Sequence, residues 1–234
     1  MRKRRVYAVV IGVGVLVVLL VWSLSREREP EYGGKKLSEW VDRYAFCAFL
    51  PPNLPSNSNS EAADEAADAI RQIGTNGLPY LLKWMRYETP RWVTKLNSML
   101  ERINPGLMVS VEQKPPADSA AMAFRTLGRA AVQAIPELSR MLNNPKANDG
   151  GVRAEVALEK LGKLGMPALL SVVTNRQAAD HVRVSALAYL VINTSDLPMP
   201  TVLNLLTDRE PQIRIIATNG LREIDPEALE KGTR

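Results

Sequence analysis

A short phrase recurs through the second half of this 234-residue chain: Val152-Arg153-x-x-Val156, Val182-Arg183-x-x-Ala186 and Ile213-Arg214-x-x-Ala217. By difference of their numbers, the arginines stand 30 and then 31 residues apart. Recurrence at a period of this size marks a chain built from copies of one supersecondary unit. A single short helix pair cannot bury its own apolar face, so adjacent pairs have to stack.

A second phrase marks the inside of each unit. Ile73-Gly74 leads to Leu78-Pro79, Leu127-Gly128 to Ile135-Pro136, and Leu161-Gly162 to Met166-Pro167. A degenerate copy runs from Leu187-Ala188-Tyr189-Leu190 to Met199-Pro200, and a half-copy from Ile213 to Ile224 closes the series. Glycine after the last apolar residue of one helix permits a left-handed stop. Proline then opens the next helix, where its missing N–H costs nothing.

Asp208-x-x-Pro211-x-Ile213-Arg214-x-x-Ala217, together with Val182-Arg183-x-x-Ala186-Leu187, resembles the HEAT repeat in its short bacterial form. The resemblance covers roughly residues 60–225 and implies an all-α fold, a HEAT-like α-solenoid of stacked antiparallel helix pairs. It also implies that Arg153, Arg183 and Arg214 are structural, bonding between adjacent repeats. The first repeats depart from the pattern. Gly74 and Gly128 are 54 residues apart, which implies an insertion around Asn104–Asp118, where Pro105, Pro115 and Pro116 suggest a loop. Gly33-Gly34-Lys35-Lys36-Leu37-Ser38-Glu39-Trp40 resembles a lead-in found before HEAT repeats in some membrane-anchored bacterial proteins.

Ahead of the repeats, Val6 to Leu24 is a run of 19 residues without a charge. That length suits a single transmembrane helix. A cleaved signal peptide, which would make this a secreted repeat protein, is the alternative; it calls for a shorter apolar run and an Ala-x-Ala-like site, for which Val21-Trp22-Ser23 is a poor match. The dense cluster Arg2-Lys3-Arg4-Arg5 places the N-terminus in the cytoplasm and the repeat domain outside it, in the periplasm of a bacterium. The organisation read from the sequence is a basic tail at 1–5, a transmembrane helix at 6–24 and a linker at 25–36. A helix with a Pro/Asn/Ser loop follows at 37–59, then a HEAT-like repeat domain at 60–231. In the helix, Leu37, Trp40, Val41 and Tyr44 form one apolar stripe.

The formal charge of +5 does not point to nucleic acid, because the tail supplies four of the 30 basic residues and the rest of the chain carries 26 against 25 acids. Cys47 is the sole cysteine, so no internal disulfide forms, and as a nucleophile it lacks a nearby histidine; the single one, His181, is distant in sequence. One histidine also excludes a two-histidine metal motif. No phosphate-cradling glycine loop lies outside the apolar run, and Asp64 and Asp68 read as a solvated helix face. No catalytic residue, metal or cofactor is therefore assigned.

One segment mixes aromatics with cations in the manner of protein interfaces: Lys83, Trp84, Arg86 and Tyr87, continued by Arg91 and Trp92. The expectation is a membrane-tethered, non-enzymatic scaffold or adaptor that binds a protein or peptide on its helical surface. Repeats of this type also resemble those of phycobilin lyases, which gives a chromophore- or cofactor-attachment protein as the alternative. That reading calls for a deep pocket with convergent polar groups.

Overall fold

The glycine and proline positions organise the chain locally, and the helices follow from them. The computed structural model describes residues 28–49, 57–104, 116–144, 149–193 and 197–224. The expected basic tail and transmembrane segment lie outside the described residues. No helix among the described residues is long and apolar enough to cross a membrane.

The described residues form eleven α-helices and one two-stranded hairpin: β1 (Glu31–Tyr32), β2 (Lys35–Lys36), α1 (Leu37–Phe49), α2 (Asn57–Ile73), α3 (Leu78–Met85), α4 (Arg91–Ile103), α5 (Ala117–Leu127), α6 (Ile135–Leu142), α7 (Asp149–Lys160), α8 (Met166–Thr174), α9 (Asp180–Asn193), α10 (Met199–Leu205) and α11 (Pro211–Ile224). The fold is all-α apart from the hairpin.

Packing contacts run largely in chain order. Helix α1 lies on α2 and α5, and α5 is followed by α7, α9 and α11, each touching the one before. The shorter helices lie alongside: α3 against α5 and α7, α6 against α7 and α8, α8 against α9, and α10 against α11. A continuous core from Leu37 to Leu221 joins them. Alanine lines much of it, including Ala66, Ala69, Ala120, Ala123, Ala154, Ala157, Ala186 and Ala217. Side chains this small let two helix backbones approach closely, while Phe124, Leu138, Leu158, Leu169 and Leu187 fill the larger spaces between them.

Gly74, Gly128 and Gly162 all have positive φ, at 57°, 50° and 57°. Each terminates a helix in a conformation that carries a Cβ only with strain. A 3-10 segment follows each: Gly74–Gly77, Gly128–Ala134 and Gly162–Leu164. Pro79, Pro136 and Pro167 then occupy the first turns of α3, α6 and α8. A different constraint holds Gly165, where an added Cβ would stand 2.0 Å from the Leu158 carbonyl oxygen.

Three segments differ from the sequence reading. Residues 31–36, expected as linker, form an antiparallel hairpin with Tyr32 opposite Lys35. Gly33 and Gly34 both have positive φ, the requirement of a tight hairpin turn whose twist matches its strands. Trp40 secures it by donating its indole N–H to the Tyr32 carbonyl at 2.9 Å, and the Lys35 ammonium sits 4.5 Å from the Trp40 ring centre. Helix α2 begins at Asn57, ahead of Ser60. Between Gly74 and Gly128 the chain builds a whole extra helix, α4, and α5 already starts at Ala117, inside the stretch assigned to a loop.

Candidate interaction surface

The four proline-started helices place equivalent residues on their outer faces. Counting from the proline, the fourth following residue is Lys83, Arg140, Ser171 or Asn204, and all four are exposed. The seventh is Arg86, Asn143, Thr174 or Thr207. The outer row thus changes from cationic on α3 and α6 to neutral and polar on α8 and α10. Side chains cross between neighbouring helices along it: Asn175 donates its amide to the Asn143 side-chain oxygen at 2.8 Å.

Charge on the α3–α6 part is organised about Glu137. Its carboxylate accepts from Arg86, the residue just past α3, and from Arg140 one turn along α6, whose Nε stands at 2.9 Å. Burial works against the charged form of Glu137. Hydrogen bonds from Arg86 and Arg140 outweigh it and hold the carboxyl below its ordinary value. Beside this network lies an open groove of about 490 Å³, lined by Thr75, Leu78, Pro79, Leu82, Arg86 and Gln133 among others. Its mixed polar and apolar lining suits a side chain or short peptide segment more than a buried small molecule.

The six residues singled out from the sequence do not share one surface. Lys83 is exposed on α3, and Arg86 is exposed just past its end. Trp84 is buried, 6.3 Å from the Tyr80 ring between centres, and fills space in the core. Tyr87 is half-buried and its carbonyl is held from inside by Arg153. Arg91 and Trp92 are exposed on α4, a separate helix that begins after Pro90. Along α4, Trp92, Leu96, Met99 and Ile103 recur at helical spacing and are all exposed, a stripe the sequence reading missed although its period is visible.

The three repeated arginines are each bonded differently. Arg183 is fully buried. It donates two bonds to Asp208 at 3.1 and 2.5 Å, one to the Val173 carbonyl at 3.1 Å and one to Asp180 at 3.3 Å. Burial again opposes charge on Asp208, but bonds from Arg183 and from the Glu210 N–H outweigh it, and the carboxyl lies below its ordinary value. Arg153 donates to Asp118 at 2.6 Å and to the Met85 and Tyr87 carbonyls at 3.3 and 2.5 Å. Three residues earlier on the same strip of α7, the Gly150 N–H stands 3.2 Å from the Glu88 carboxylate; Arg153 and Gly150 together therefore hold both ends of the stretch that contains α4. Arg214 donates to the carbonyls of Asp208 and Arg209 at 2.8 and 3.1 Å.

Glu155 is the exception among buried charged residues. It is 4% exposed, and its Oε1 has no hydrogen-bond partner. Burial pushes its carboxyl up to about 7, a bond from the Ser185 hydroxyl opposes the rise, and nearby Glu159 adds to it. Its neighbour Ser185 belongs to α9, so Glu155 sits where α7 and α9 pack together. Cys47 is half-buried on α1, and His181 is exposed on the first turn of α9. Among the described residues, no group of three or more His, Cys, Asp or Glu is placed to hold a metal ion. Family models, curated proteins and solved structures were compared with the chain, and none of them matches it.

Proposed function

We propose that this chain is a membrane-tethered, non-enzymatic scaffold, a HEAT-like α-solenoid whose proline-started helices offer their outer row to a protein or peptide. Residues 6–24 serve as its single transmembrane anchor, with the N-terminus cytoplasmic and the helical domain extracytoplasmic. The observation that carries the reading is the outer row itself: equivalent, exposed positions on successive helices, with a groove and a cationic end around Arg86 and Arg140. Packing contacts that run from neighbour to neighbour support the stacked-repeat reading.

The row's cationic end favours an acidic segment in the partner. Crosslinked capture from membranes with the full chain, compared with a Lys83→Glu/Arg140→Glu variant, tests this. A partner carrying an acidic segment is expected to be captured by the parent and lost by the variant. Identical captures from the two would remove the row from consideration. Protease protection in intact cells reads sidedness separately, and cleavage of the helical domain only after the cytoplasm is opened would overturn the assigned orientation.

A further inference from the structure

Helix α4 presents three distinct faces. At 3.6 residues per turn, Val93 and Leu100 fall on one side, and Val93 is buried. Trp92, Leu96, Met99 and Ile103 form the next face, with 63%, 36%, 50% and 80% of their surfaces exposed. Arg91, Lys95 and Arg102 share a row along one flank of that stripe and are exposed as well. Glu101, the one acid of the helix, falls on the side opposite the stripe. An outward apolar stripe on a helix otherwise attached to a protein surface marks an interaction site. Tryptophan and long aliphatic residues on one face with a cationic border are the composition of a helix that lies in a bilayer interface.

The route of the chain favours the same occupant. Tyr80 of α3, the helix immediately before α4, donates its hydroxyl to the Arg28 carbonyl at 2.7 Å. Leu24, the last residue of the apolar run, is four residues from Arg28, a reach of at most about 14 Å. Taking residues 6–24 as an anchor, Tyr80 and with it α3 are therefore held close to the membrane surface, and α4 starts at Arg91, six residues after α3 ends at Met85. We infer that α4 docks on that surface, its Trp92–Ile103 stripe among the acyl chains and Arg91, Lys95 and Arg102 on anionic headgroups. The inference rests on the anchored reading given above, and adds to it a second contact that fixes the orientation of the domain.

The test uses the full chain with Cys47→Ser, reconstituted in phosphatidylcholine vesicles with and without phosphatidylglycerol. A single cysteine introduced by Met99→Cys carries an environment-sensitive fluorophore, and a lipid-borne nitroxide quenches it. Thr94→Cys, on another face of α4, is the reference, and Ile103→Cys against Glu101→Cys gives a second pair. Quenching is expected to be several-fold stronger at positions 99 and 103 than at 94 and 101, and to weaken without phosphatidylglycerol. Equal quenching within each pair would overturn the docking. A label at 99 shielded from aqueous iodide yet out of reach of the lipid quencher would also overturn it, because a protein would then cover the stripe. Alkaline extraction reads the anchor by itself. A chain that stays in the membrane with an unquenched position 99 defeats the docking alone, and a chain that is stripped off defeats both readings.

Discussion

Arg153 and Arg183 occupy the same place in the recurring phrase, yet they work in different surroundings. Arg183 is fully buried and grips Asp208, itself buried, 25 residues downstream with two parallel bonds. Arg153 reaches upstream instead, to an Asp118 side chain that is mostly exposed and to two backbone carbonyls at the end of α3. At Arg183, then, the guanidinium answers a buried charge. At Arg153 it answers backbone groups and a carboxylate that water can solvate. The same sequence signal carries different energetic weight according to what lies opposite it.

The sharpest way to break this comparison is to remove both arginines in turn. Arg183→Ala leaves the Asp208 carboxylate buried and unpaired, and should cost about 3–5 kcal/mol in urea unfolding. Arg153→Ala leaves two carbonyls unsatisfied while Asp118 is rehydrated, and should cost about 1–3 kcal/mol. Equal losses would mean that the two sites are equivalent after all.

Tryptophan offers a second contrast, this time within the irregular half. Trp84→Ala removes a buried ring and should destabilise by about 3–5 kcal/mol. Trp92→Ala, on the outer face of α4, should stay within about 0.5 kcal/mol in detergent-solubilised protein, read as a shift in the unfolding midpoint.

pH separates the buried acid that has a guanidinium from the one that has none. The folded chain keeps the Glu155 proton up to about pH 7, whereas an unfolded glutamate releases it near 4.5. The unfolded state binds fewer protons in that window, so stability falls as pH rises through it, by up to about 3 kcal/mol. Glu155→Gln should flatten this part of the profile and raise stability above pH 7. Asp208 has the opposite sign. Its contribution is full above its unfolded value of 3.8 and is lost as pH falls through the lower folded value. Acid unfolding of Asp208→Asn should therefore lose part of its pH dependence below 3.8.

What was legible in the sequence was local. Gly74, Gly128 and Gly162 each dictate their own backbone, and a proline in the next first turn needs no knowledge of the rest of the fold. The patch at 83–92 is continuous in sequence but divided in space. Trp84 and Trp92 fall on two helices separated by Pro90, and only burial tells them apart. Asp118 as the partner of Arg153 was beyond reach, since the length of the excursion between α3 and α5 hides which residues return to the same place. The hairpin at Gly33-Gly34 was readable in principle. Its turn chemistry is explicit, but the charged residues around it looked like linker, and the Trp40 indole that fastens it comes from the following helix.

One consequence concerns how such a chain tolerates change. The two ends of the stretch from Glu88 to Asp118 meet on the same strip of α7, held by the Gly150 N–H at one end and the Arg153 guanidinium at both. With its two ends pinned together, its length enters the free energy of folding only slowly, as the logarithm of the number of residues enclosed. The stretch therefore behaves as a cassette. Segments of different length or composition can be exchanged within it while the helices on either side keep their positions, and a surface such as that of α4 can be gained or replaced without rebuilding the stack beneath.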